Sequence, residues 1–160
     1  MFQRGQIVYH DQVTFKNNIL DTKSKRPCVV LLSVEYGENT YVLTCSFTSK
    51  VRTFNKKPDT YKFISEQLYS YKKLCFANIE STRLYPLEET HETPFSVSEE
   101  TVNSIIDAIY NLSDIDNNMT VVKTLLAYDH LFAELEKSDI NRTKKLEKIN
   151  KRRYAKGRLN

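Results

Sequence analysis

Apolar residues in the first two-thirds of the chain come in short alternating or unbroken runs separated by turn residues, and after Ser96 they recur every three to four positions. The first pattern predicts strands and the second helices. Gln6-Ile7-Val8-Tyr9-His10 follows a glycine able to turn tightly and is the first strand. The polar stretch from Asp11 to Lys25 is expected to be a long loop, with Val13-Thr14-Phe15 as a short strand within it. Pro27 then leads into Cys28-Val29-Val30-Leu31-Leu32-Ser33, so continuously apolar that both faces must be covered: a central strand. Glu35 to Asn39 makes a turn, and Thr40 to Ser49 returns as the second arm of a hairpin whose end carries hydroxyls. Thr60 to Ile64 and Lys73 to Ile79 are further strands. This spacing predicts a small, mostly antiparallel β-barrel rather than βαβ units.

Ser96-Val97-Ser98-Glu99-Glu100 supplies an N-cap and first-turn acids, so a helix is expected to begin there. Val102, Ile105, Ile106, Ile109 and Leu112 form its apolar face. Asp114 to Asn118 breaks it. A second helix is expected from about Met119 to Lys137, with Val121, Leu125, Tyr128, Phe132 and Leu135 spaced four-three-four-three. That stripe either packs on the barrel, the expectation adopted, or pairs with another subunit. Leu146 and Ile149 nearly continue it, so the remaining segment is helical when it has something to lie on.

Length and composition fit a folded chain with one barrel domain: 160 residues, 40% hydrophobic, 28% charged, three Gly and four Pro. Residues 1–113 form the barrel with its first helix, and residues 114–160 a helical, basic extension. The net charge of +4 is unevenly placed. Residues 142–160 hold nine Lys/Arg against Glu147, leaving 15 basic and 19 acidic residues before them, so the positive character belongs to the tail. Cys28, Cys45 and Cys75 are odd in number and sit in apolar runs, predicting reduced buried thiols. Neither these nor His10, His91 and His130 have metal-ligand spacing, so no metal and no cofactor are expected. The start is polar and no run of 18 apolar residues occurs, which predicts a cytoplasmic protein with no membrane association.

Four segments in order carry a resemblance: Arg4-Gly5-Gln6-Ile7-Val8, Arg26-Pro27-Cys28-Val29-Val30-Leu31, Phe47-Thr48-Ser49, and Asn78-Ile79-Glu80-Ser81-Thr82-Arg83-Leu84. Over roughly residues 3 to 112 the chain resembles the MazF/PemK family of toxin endoribonucleases. The resemblance implies an SH3-like barrel, a homodimer with single-stranded RNA across its interface, and a cognate antitoxin whose disordered segment covers the same groove. Two positions depart from the family pattern: Gln6 stands for an acid, and Glu80 brings a negative charge to the groove.

The chemistry also follows from residue types. RNA can be cut without metal by its own 2′-OH, which attacks the adjacent phosphate once aligned, provided the developing charge is stabilised. The family motif makes Arg26, with its planar bidentate fork, the first catalytic candidate, and Thr48, a donor at a strand end, is the second. His10, beside Asp11, is a possible acid or base. Ser49, Lys50, Arg52 and Lys25 are expected to line the RNA, with Tyr9 and Phe15 as stacking candidates. The plain alternatives are a loop arginine before a strand and hydroxyls that satisfy backbone groups. A different class of function, a catalytically silent barrel of the MazF/CcdB type that binds a protein or nucleic acid, uses the same fold.

Overall fold

The apolar patterns become strands and helices in the expected order. In the computed structural model, which describes residues 1–11, 13–14, 20–21, 26–49, 55–56, 58–66, 75–112 and 117–157, the strands are β1 (Gln6–His10), β2 (Val13–Thr14), β3 (Leu20–Asp21), β4 (Cys28–Tyr36), β5 (Asn39–Thr48), β6 (Tyr61–Ile64), β7 (Cys75–Pro86) and β8 (Thr90–Ser96). The helices are α1 (Glu99–Asn111) and α2 (Asn117–Gly157). Most of the loop expected between Asp11 and Lys25 lies outside the described residues, as does Phe15. Residues Met1–Thr124 form one compact unit and Leu125–Asn160 a second.

Six strands make one antiparallel sheet in the order β6-β7-β5-β4-β1-β8, and among the described residues β2 pairs only with β3. β6 and β8 do not pair with each other among the described residues, so the sheet is open and the chain is mainly β with α. Its centre is the β4–β5 hairpin, closed at Gly37, whose φ of 62° a side chain would disfavour. Gly5, at φ 86°, ties the sheet together more tightly. Its amide donates to the Val30 carbonyl and its carbonyl accepts from Val97, each at 2.8 Å.

Burial follows the alternation. Val29, Leu31, Leu43, Cys45, Ala77 and Ile79 are fully buried, as are Val102, Ile105 and Ile109 of α1, which packs on β4, β6 and β7. A second cluster of Val8, Val13, Cys28, Val30 and Val42 is covered by Phe2 and Leu87. Burying that many branched side chains supplies the main driving force for the fold. Ser98 caps α1 as expected, its hydroxyl accepting from the Thr101 amide.

Three expectations need correction. β8 was not anticipated, because Pro94 cannot donate to a ladder; it is accommodated at the edge of the sheet. β7 continues well past Ile79, to Pro86. The second helix does not stop near Lys137: α2 is unbroken to Gly157, and its stripe is not packed away. Val121, Tyr128, Phe132 and Leu135 are all at least 52% exposed. No Gly or Pro interrupts residues 117–156.

Candidate functional site

The strand pairing brings two residues 22 apart in sequence, Arg26 and Thr48, to the same end of the sheet. Cys28 lies opposite Ser46, and the Phe47 amide donates to the Pro27 carbonyl at 2.9 Å. The pairing therefore continues one step beyond β4, to Pro27 and Phe47, and the next residues along the two segments are Arg26 and Thr48. Both are partly buried, and Thr48 lies opposite Phe76 of β7, which in turn opposes Phe63 of β6. Directly opposed residues share a face of the sheet.

The next row out on this face holds Ser46, Asn78 and Tyr61. Burial pushes the Tyr61 hydroxyl above its ordinary value, Glu80 pushes it further the same way, and Arg26 opposes them. The phenol, the carboxylate and the guanidinium are thus within electrostatic reach of one another. Glu80 gets there through an irregularity: residues 79 to 82 of β7 all fall between the pairs Ser46–Asn78 and Thr44–Arg83, leaving them opposite Cys45 alone. Hydroxyls hold this bulge. Ser81 Oγ donates to the Asn78 carbonyl at 2.6 Å and accepts from the Ser46 amide at 3.0 Å and the Ser46 hydroxyl at 2.7 Å. Thr82 Oγ1 donates to the Ile79 carbonyl at 2.8 Å. Tyr61 was not singled out from the sequence, and its signal was only a hydroxyl at the head of an apolar run.

The other sequence candidates are distributed differently. Ser49 is exposed just past Thr48, while Lys25, Lys50 and Arg52 lie outside the described residues. His10 is only 2% exposed. Its Nδ1 is 3.0 Å from Thr90 Oγ1 and its Nε2 is 2.7 Å from Thr44 Oγ1. Thr90 Oγ1 donates its proton to the Pro86 carbonyl, so it accepts from Nδ1–H, and Thr44 donates to Nε2. Burial first, then His91, push the imidazole down to about 4 against the pull of Asp11, so His10 is neutral at pH 7. Arg4 is committed to α1, bonding Asn103 Oδ1 and pairing with Glu99 at 2.8 Å each.

Among the described residues no group of three His, Cys, Asp or Glu stands together as a metal site, and no helix is long and apolar enough to cross a membrane. Burial pushes the Cys28 thiol well up and the Cys45 thiol up to about 12, which leaves both poor nucleophiles. Two clefts of about 470 and 410 Å³ occur elsewhere, one beside Arg4 and Phe95 and one beside Glu66 and Ser98, and neither is lined by Arg26 or Thr48. No protein-family model and no curated protein matches this chain.

Proposed function

We propose that this protein is a metal-independent endoribonuclease of MazF/PemK type, cutting single-stranded RNA at the face that carries Arg26, Thr48, Tyr61 and Glu80. The observation that supports the reading is that the β4–β5 pairing, continued to Pro27 and Phe47, brings Arg26 and Thr48 to the same end of the sheet, with a phenol and a carboxylate within electrostatic reach of that guanidinium. On this reading the open sheet corresponds to that family's SH3-like barrel, and the chain acts in the cytoplasm.

The roles follow from the chemistry of each group. Glu80 takes the proton of the 2′-OH as O2′ bonds to phosphorus, and the bond from phosphorus to O5′ breaks. The leaving O5′ takes a proton from the Tyr61 hydroxyl, held protonated by burial and by Glu80. Arg26 stabilises the developing phosphorane bidentately and Thr48 donates to one of its oxygens. The products are a 2′,3′-cyclic phosphate and a 5′-hydroxyl, and DNA, lacking the nucleophile, is not a substrate. Glu80, which stands where the family has a positive charge, becomes the base instead of a defect. Ser49, Lys50, Arg52 and Lys25 hold the flanking phosphates. The partners are single-stranded RNA, a second copy of the chain and a cognate antitoxin.

Incubating the full chain with a long single-stranded RNA in EDTA tests this reading. Fragments ending in a cyclic phosphate are expected. Tight RNA or protein binding without cleavage would instead support the catalytically silent barrel.

A further inference from the structure

We infer that the α2 stripe is the seam of an antiparallel coiled coil between two copies of this chain. The inference does not rest on the ribonuclease reading. From Leu125 onward the four-three spacing runs through Tyr128, Phe132, Leu135, Asp139, Arg142, Leu146, Ile149 and Arg153, giving four heptads of one continuous helix. Its apolar members are open: Tyr128 is 57% exposed, Phe132 63%, Leu135 52% and Leu146 54%. Leu131 flanks this line, while Ile140 and Tyr154 lie off it. A helix this long with an uncovered apolar line gains stability chiefly by burying that line against a partner.

The charges identify the partner and its direction. Residues 125–140 carry Asp129, Glu134, Glu136 and Asp139 against Lys137, and residues 141–157 carry eight Lys/Arg against Glu147. Each half is thus complementary to the other half of a second copy running the opposite way. Parallel pairing would stack Asp139 on Asp139, Arg142 on Arg142 and Arg153 on Arg153 in the seam, each a like-charge clash.

Antiparallel pairing centred between Asp139 and Arg142 resolves the seam layers from Tyr128 to Arg153. Asp139 meets the partner's Arg142, Leu135 meets the partner's Leu146, and Phe132 meets the partner's Ile149. Tyr128 meets the partner's Arg153, a cation–π contact. Two-fold symmetry makes each layer twice. The central ion pairs fix the register, the best attested role of a polar group in such a seam.

Light scattering and sedimentation of the full chain at micromolar concentration test the inference, with twice the 18.8 kDa chain mass expected. Asp139→Arg, which faces Arg142 with another cation, is expected to weaken association at least tenfold, and Asp139→Arg/Arg142→Asp to restore it. In a Cys75→Ser background, differently tagged Leu135→Cys and Leu146→Cys chains are expected to cross-link to each other. Leu135→Cys alone should not cross-link, because its two copies would lie about 16 Å apart along the axis. A monomer, or a chain that gains mass only when single-stranded RNA is added, overturns the inference, and in the second case α2 belongs to nucleic acid. A dimer indifferent to Asp139→Arg, or one cross-linked by Leu135→Cys alone, overturns it too.

Discussion

The ring of His10 lies against that of Tyr85, centroids 3.8 Å apart and 17° from parallel, with a threonine hydroxyl at each of its nitrogens. The imidazole is therefore built into the sheet as a neutral group. Its folded value, about 4, lies below the unfolded 6.5, so the unfolded chain takes up the proton first as pH falls. The stability tied to the neutral ring is intact above pH 6.5 and is lost as pH drops towards 4, on the order of 3 kcal/mol in all. Urea unfolding across that window, with the His10 ring proton followed by NMR, checks it. A ring that titrates near 6.5 in the folded protein would rule the account out.

Arg26→Ala and Thr48→Ala should each slow RNA cleavage by about 10²-fold or more, and the double variant should be scarcely slower than the worse single one, since both act on one phosphate. Arg26→Lys keeps the charge but loses the fork, and should recover little of the rate. Single-turnover cleavage at saturating enzyme separates this from weaker binding. Wild-type rates in Arg26→Ala would remove the residue from the mechanism, and full rescue by lysine would reduce it to steering phosphate.

Gly5→Ala should be costly. An added Cβ would stand 2.8 Å from the Val97 carbonyl oxygen, at a φ that side chains rarely adopt. A loss of roughly 2 kcal/mol or more is expected. Gly37 has a similar φ but nothing within 4 Å of the added carbon, so Gly37→Asn should be close to neutral. Equal melting temperatures for Gly5→Ala and wild type would refute the tight junction.

Glu66 stands at the start of α1 and accepts from the Ser98 amide and from the Ser98 and Thr101 hydroxyls. Burial works against its charge, but these bonds, led by Thr101, outweigh it and hold the carboxyl below its ordinary value. Glu66→Gln should cost about 1 kcal/mol at pH 7. With the folded value lowered, this stabilisation is present above the unfolded value and is lost as pH falls through the folded one. Denaturation midpoints of the two proteins should converge in acid, and a constant gap would contradict the assignment.

The strands that could be recognised from sequence were those where one physical signal dominated. The unbroken apolar run of β4 and the Gly37 turn identify the central hairpin, and hydroxyl and acidic residues at Ser98 to Glu100 identify the start of α1. β8 was hidden because Pro94 is a strong local signal against a strand and nothing in the sequence reveals an edge position. Arg26 and Glu80 could be named from the family motif and Thr48 from its place at a strand end, but Tyr61 joins them only through the register of β6 on β7, a property of long-range pairing. His10 misled for a similar reason: beside Asp11 it looks exposed, and only the fold supplies Thr44, Tyr85 and Thr90 around it. The open stripe of α2 was visible as a pattern, but its exposure was not.

An open sheet invites another strand to add to it, and such addition is a route to fibrils. At the β8 end two consecutive amide donors are withdrawn: Pro94 has none, and Phe95 spends its own on Thr93 Oγ1 at 3.2 Å. Glu92 and Pro94 are also exposed along that strand. At the other end β6 is only four residues long and carries exposed Lys62. Concentrated solutions should therefore stay free of amyloid even though the sheet never closes, and replacing Pro94 with valine would restore an adhesive edge.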